Sequence, residues 1–207
     1  MNNAATITTT VFSRTITGLG DIHLRLLDIE KDIEIIHDWV TRPYATYWGM
    51  QEYTLEEVRL AYQEIVESGH HNAFIGILNN RPIFLMERYL AVKDPISAYY
   101  EVQEGDCGMH ILVSPIKKKI PNFTWHIFST ILEYLFSDPQ THRIVVEPDV
   151  RNEKIHVLNK RAGFQYHKEI ELPHKTAALA FCDKKDYEKA LMREDNKNIV
   201  HKNKIND

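Results

Sequence analysis

Gly105-Asp106-Cys107-Gly108-Met109-His110-Ile111-Leu112-Val113 runs into Ser114-Pro115-Ile116-Lys117-Lys118-Lys119-Ile120-Pro121 and then into Asn122-Phe123-Thr124-Trp125. The first part is a glycine-hinged apolar strand, the second a short basic loop, the third the opening turn of an amphipathic helix. Pro121 suits a first helical position, where its missing amide hydrogen would lack a partner anyway. A cationic loop between a strand and a helix N-terminus is a site for phosphate, because unpaired amides and the helix dipole both favour an anion. His110 is the one imidazole in the apolar run. A phosphate-bearing ligand held at the loop could lay its reactive end along the strand beside it.

The 207 residues suffice for one well-buried core. They hold no Gly/Ser or Pro-rich linker and no internal repeat, so one domain is expected over residues 1–193. Residues 1–20 form an N-terminal arm and 194–207 a disordered polar tail. A net charge of −4 speaks against a nucleic-acid binder that works by broad phosphate neutralisation, and leaves room for a cationic substrate. Cys107 and Cys182 have no CxxC spacing, which points away from a disulfide framework or zinc site and towards a reducing cytoplasm. No basic segment with a long apolar run opens the chain, and no apolar stretch nears the roughly 20 residues of a membrane span. The eleven histidines are scattered, and His70-His71 beside Gly69 is not a ligand pair at i, i+4. No metal is expected.

Working outward, Ile22–Leu26 alternates as a half-buried strand, with a possible edge strand before it at Val11–Arg14. Asp28 can cap a helix carrying Ile29, Ile33, Ile36 and Trp39, which Arg42-Pro43 stops. Thr54-Leu55-Glu56-Glu57 is close to a capping box and opens a second helix that Gly69 ends. His71–Leu78 and Ile83–Val92 read as strands about a turn at Asn79–Pro82. The helix from Pro121 to Phe136 precedes a short strand at Arg143–Glu147. Glu153–Arg161 is helical with Gly163 as its left-handed cap, Phe164–Leu172 and Lys175–Cys182 form a hairpin, and Asp183 caps a last helix to about Arg193. The order β-α-α-β-β-β-α-β-α-β-β predicts an α/β fold, a mixed central sheet flanked by helices. Ligands of open α/β sheets bind where strand–helix crossovers diverge, which groups His110 with Asp149. A histidine with a carboxylate partner is a common general base near neutral pH. Taken singly, His110 reads equally as a core histidine bonded to backbone, and Asp149 as a helix cap.

The loop Tyr47-Trp48-Gly49-Met50, the strand Pro82–Tyr89, the segment Tyr99–His110, and Glu147-Pro148-Asp149-Val150-Arg151-Asn152 leading to Lys160–Phe164 together resemble the GNAT-fold acyl-CoA acyltransferases. Within them they resemble the siderophore-biosynthesis branch of N-hydroxy-amine acylases. The likeness spans about residues 22–182. It implies the GNAT fold and transfer of an acetyl or succinyl group from acyl-CoA to the hydroxylated nitrogen of an N-hydroxy-diamine or N-hydroxylysine, giving a hydroxamate. It implies a catalytic pair, His110 and Asp149. It also implies an acyl-CoA site built from Ile111, Leu112, Val113, Lys117, Lys118, Lys119, Asn122, Phe123, Asn152 and Asn159, with an amide of Leu112 or Val113 polarising the thioester carbonyl. No nucleic acid or membrane partner is implied, and the enzyme would act as a monomer or homodimer.

Two departures stand out. The family's glycine-rich phosphate loop reads Lys117–Asn122 here, so backbone approach is more hindered and Pro121 withholds a donor; the lysines either compensate or form a solvated turn. The tyrosine that can protonate the departing thiolate is replaced by Asn159. For the acceptor, Trp48 and Met50 could wall a slot for an alkyl chain, unless Trp48 is a core or lid aromatic. Glu87 or Asp106 could hold a distal ammonium. Glu87 in mid-strand among apolar residues needs a partner, either that substrate or an internal base such as Arg88. The alternatives are another GNAT reaction, on a ribosomal-protein N-terminus, a polyamine or an aminoglycoside, and a degenerate CoA-binding module.

Overall fold

The computed structural model describes residues 9–116 and 119–203, with side chains to residue 194. Lys117 and Lys118, two of the expected phosphate ligands, lie outside the described residues, as do 1–8 and 204–207. The chain forms two compact units, each discontinuous in sequence: Met1–Leu90 with Met109–Ile131, and Ala91–Gly108 with Leu132–Asp207.

The first unit is an antiparallel run of strands: β1 (Thr10–Ile16), β2 (Gly20–Leu26), β3 (His71–Leu78) and β4 (Arg81–Leu90) pair in sequence, with Met109–Val113 of β5 (Asp106–Val113) next to β4. β1 is thus a regular edge strand within the expected arm, and Arg14 fastens it through a 2.8 Å bond to Ser129. Helices α1 (Ile29–Val40) and α2 (Leu55–Glu67) cover one face. Their apolar stripes supply Ile33, Ile36, Trp39, Val40, Val58 and Tyr62 to a core shared with Ala73, Ile75, Leu85 and Leu112. The capping box on α2 forms: Glu57 N donates to Thr54, whose own amide donates to the Glu57 carboxylate. Such a cap contributes about 1 kcal/mol. Asp28 stands at the cap position of α1, but its carboxylate pairs with Lys31 at 2.7 Å instead of the helix amides.

The hairpin between β3 and β4 decides which side chains meet. Asn79 and Asn80 both have positive φ, 50° and 62°, as a two-residue type I′ turn requires, so the turn is tighter than the expected Asn79–Pro82. Leu78 pairs with Arg81 and Ile77 with Pro82, but Gly76 pairs with Phe84. The extra residue is a bulge, where proline's missing amide is tolerated. It turns the rest of β4 over by one position, so that Glu87 faces Ala73 and Tyr89 faces His71. Without it Glu87 would lie opposite Asn72.

In the second unit Asp106–Gly108 of β5 pair parallel to β6 (Arg143–Val146), and β6 pairs antiparallel to β8 (Lys175–Asp183), which pairs with β7 (Gln165–Leu172). Helices α4 (Glu153–Ala162) and α5 (Lys184–Asn203) belong here, and α3 (Phe123–Ser137) runs through both units. The eight strands form a mixed, mostly antiparallel sheet with flanking helices. Gly163 ends α4 with φ 98°, and a Cβ there would come within 2.7 Å of the Asp186 carbonyl.

Two expectations are corrected. Pro121 is not the first residue of α3; it lies in a turn, Asn122 adopts φ 55°, and the helix starts at Phe123 with His126 N bonded to Asn122 O. The polar tail does not begin at Glu194, because α5 continues to Asn203. Its Lys-, Glu-, Ala- and Met-rich sequence has no helix breaker, and Glu194 is buried against Arg161 of α4, with Nε at 2.8 Å. Among the described residues no helix is long and apolar enough to cross a membrane.

Candidate active site

His110 sits in β5 on the row Gly108, His110, Leu112, the face that α2 covers. Its Nδ1 lies 2.9 Å from Glu87 Oε2. Glu87 comes from the row Leu85, Glu87, Tyr89 of β4, and is 5% exposed. Its other oxygen, Oε1, accepts from the Tyr62 hydroxyl of α2 at 2.9 Å. The Trp48 indole in turn hydrogen-bonds the Tyr62 hydroxyl. One chain of contacts therefore runs from Trp48 through Tyr62 and Glu87 to His110, all within the first unit.

The aromatic rings frame the imidazole. Tyr89 lies 5.1 Å from the His110 ring centre and Trp48 meets it edge-on at 6.2 Å. Trp48 and Met50 also pack against the apolar core, so Trp48 acts both as a core aromatic and as a wall beside His110. Trp48 ends a 3-10 turn (Pro43–Trp48) that Gly49 closes with φ 82°. Burial by itself would push the Glu87 carboxyl up, but the His110 hydrogen bond and the neighbouring His71 imidazole hold it down at about 2. Burial, and then the charge of Glu87, raise the Tyr62 phenol well above its ordinary value. Glu87 is therefore a carboxylate and Tyr62 a phenol at neutral pH. An ionised carboxylate on Nδ1 holds the proton there and leaves the lone pair on Nε2, the tautomer a general base needs.

The partner that Glu87 requires is thus internal, and consists of two imidazoles and a phenol. His71 Nε2 is 3.6 Å from Glu87 Oε2. Asp106, the other residue expected to hold an ammonium, is fully engaged within the second unit. It accepts from Arg143 Nε and Nη2, each at 2.7 Å, from Tyr100 at 3.0 Å and from the Gln103 amide at 2.9 Å. Arg143 in turn stacks on Phe181 at 4.4 Å. The Asp106 carboxylate is buried and saturated by a partner that does not lose its charge.

Asp149 also lies in the second unit. Its carboxylate accepts from Arg151 three times, from the amide at 2.8 Å, Nε at 2.9 Å and Nη2 at 2.7 Å. These bonds, opposed by burial, hold it at about 2. It does not cap α4, since Asn152 does so by accepting from Ile155 N. Asn159 is buried on α4 and donates to the Tyr166 hydroxyl at 3.0 Å, while its Oδ1 has no hydrogen-bond partner. His156 Nδ1 lies 2.7 Å from the same hydroxyl and Nε2 3.0 Å from the Asp149 carbonyl. At the expected phosphate loop Lys119 and Asn122 are exposed, but the Phe123 amide is already turned onto Ile120 O at 3.3 Å. That removes one of the expected amide donors.

Sequence reading missed His71 and Tyr62 beside Glu87, and Tyr166 and His156 beside Asn159. For the first pair the signal was available in part: His71 and Glu87 both interrupt apolar strand rows. The bulge that puts those rows together was not visible.

Residues 28–172 match the family model described as an acetyltransferase (GNAT) domain. The chain is 30% identical to an N(6)-hydroxylysine O-acetyltransferase of Escherichia coli over 79% of its own length and 52% of that protein's. It is also 30% identical to an N(5)-hydroxyornithine:cis-anhydromevalonyl coenzyme A-N(5)-transacylase of Beauveria bassiana, over 73% of this chain and 34% of that one. It therefore spans about half or less of the length of these curated relatives. Among solved structures, an uncharacterized protein of Bacillus halodurans matches with a TM-score of 0.81 and 28% identity, covering 86% of this chain and 93% of that one.

Proposed function

The chain belongs to the GNAT acetyltransferase family, and from that premise we propose that it transfers an acyl group, acetyl or succinyl, from acyl-CoA to the hydroxylated nitrogen of an N-hydroxy-amine. The product is a hydroxamate for siderophore assembly. The relatives named for hydroxylysine and hydroxyornithine support the acceptor class. The observation that carries the chemistry is the 2.9 Å contact between His110 Nδ1 and the buried Glu87 carboxylate.

Glu87 accepts the Nδ1 proton and leaves His110 Nε2 as the base. As the hydroxylamine nitrogen attacks the thioester carbon, Nε2 takes its proton, and the imidazolium is stabilised by Glu87. The carbonyl oxygen becomes an oxyanion facing a backbone amide at Leu112 or Val113. The C–S bond then breaks, leaving hydroxamate and the CoA thiolate. Asp149, held at about 2 by Arg151, is too weak a base for this step at neutral pH; we assign it to holding Arg151 and the turn before α4. Lys119, Asn122, Asn152 and Asn159 remain our assignments for CoA, and Trp48 and Met50 for the acceptor's alkyl chain. With Glu87 and Asp106 both engaged, neither is left to bind the acceptor's distal ammonium.

Incubation with acetyl- or succinyl-CoA and N-hydroxylysine, N-hydroxyputrescine or N-hydroxycadaverine should release thiol and hydroxamate together. His110→Ala should lower turnover by about 10²–10⁴ with the fold retained. Equal turnover of the corresponding plain amines would reassign the enzyme to general amine acetylation, and no turnover of any acceptor would end the reading.

A further inference from the structure

The proposed chemistry uses Tyr62, Glu87 and His110 and leaves His71 without a task. This imidazole projects from the first residue of β3 onto the same face, and its Nε2 is buried without a hydrogen-bond partner. An unbonded buried nitrogen next to a carboxylate costs stability unless something else occupies it. His71, Glu87 and His110 each offer one ligand atom, and the three lie within 4.8 Å of one another. Around Glu87 Oε2 the individual distances are 2.9 Å to His110 Nδ1 and 3.6 Å to His71 Nε2. A tetrahedral ion with bonds of about 2.0–2.1 Å holds its donors about 3.3 Å apart, which these two distances bracket. Tyr62 occupies Oε1 and so leaves Oε2 as a one-oxygen ligand in a fixed orientation. Tyr89 packs on both imidazoles, at 5.4 Å from His71 and 5.1 Å from His110.

We propose that His71, Glu87 and His110 form a site for a divalent first-row transition ion, and that its binding switches the enzyme off. Two imidazoles and one carboxylate suit zinc or ferrous iron and are poor ligands for magnesium or calcium, which prefer oxygen. The inhibitory half rests on His110 being the base. In the metal-free state Nδ1 carries the proton and Nε2 the lone pair. An ion on Nδ1 takes the lone pair there, so the single proton of the neutral imidazole must move from Nδ1 to Nε2. The nitrogen that should accept the hydroxylamine proton becomes a donor. The ion acts as a tautomer switch, not as a cofactor.

Isothermal titration of the metal-free full-length chain with ZnCl₂ reads the site without substrate. One ion per chain should bind. His71→Gln and Glu87→Gln should each weaken binding by at least about tenfold, a loss that even an outer-shell change can cause. Co²⁺ on the unaltered chain, giving the strong visible bands of a tetrahedral ion, checks the ligand set should a variant fail to fold. Saturating Zn²⁺ should cut wild-type hydroxamate formation, followed by mass spectrometry, by at least about tenfold, with recovery on adding chelator. His71→Gln should escape inhibition, with the same turnover in the presence and absence of Zn²⁺. Absence of a one-to-one site, undiminished binding by His71→Gln, or full turnover of the metal-loaded chain would each overturn the proposal. Should no acceptor be turned over, the functional reading falls alone, and the heats and the Co²⁺ spectrum still decide the metal site.

Discussion

Glu87 and Asp106 are both buried carboxylates on neighbouring strands, and both look alike in the sequence, as acids set in apolar strands. Their surroundings differ in kind. Asp106 is met by a guanidinium in a two-pronged pair, a phenol and an amide. Arginine keeps its charge at any physiological pH, so that arrangement has one protonation state and one geometry. Glu87 is met by two imidazoles and a phenol, none of which carries a permanent charge. A carboxylate paired with arginine builds structure; a carboxylate paired with histidine can do chemistry.

The largest effect that would test this contrast is on stability. Asp106→Asn leaves Arg143 buried without its counter-charge and should cost about 3–5 kcal/mol in denaturant unfolding. A stable Asp106→Asn protein that had lost turnover would place Asp106 in the active site and erase the distinction. Glu87→Gln should do the reverse. Its amide would donate towards Nδ1 and force the proton onto Nε2, so turnover should fall by about 10²–10⁴, comparable to losing the base, with little change in fold. Tyr62→Phe removes one bond to the Glu87 carboxylate and should lower turnover by at most about tenfold, read as kcat at saturating acceptor.

The smallest effect belongs to Asp149, a third carboxylate and another one held by arginine. Its carboxyl is lowered from an ordinary 3.8 to about 2. A group depressed in the folded state lends stability above its unfolded value and loses it as the pH falls towards the folded one. Melting temperature should therefore drop more steeply between about pH 4 and pH 2 in the wild type than in Asp149→Asn. Equal slopes would show that the Arg151 pair does not hold Asp149 in solution.

Much of this molecule was legible from local chemistry. The strand periods, the Thr54–Glu57 capping box, the Gly163 cap and a turn within Asn79–Pro82 are short-range features, set by residues within a few positions of each other. They predict the order of elements and the mixed sheet. His110 and Glu87 were also recognisable as misfits in apolar rows. Their pairing was not. Glu87 and His110 are 23 residues apart and meet only through the long-range pairing of strands, and the bulge near Pro82 brings Glu87 onto the face of His71. Grouping His110 with Asp149 came from crossover topology, which locates ends of strands but not which side chains share a face.

The sequence by itself therefore determined the elements, their order and the residues unlikely to be ordinary core. Only the tertiary structure decided who partners whom. Side-chain direction along a strand has a period of two, so a single inserted residue reverses it. The register of a long-range pairing, and with it the identity of a histidine's carboxylate, exists only once the strands have met.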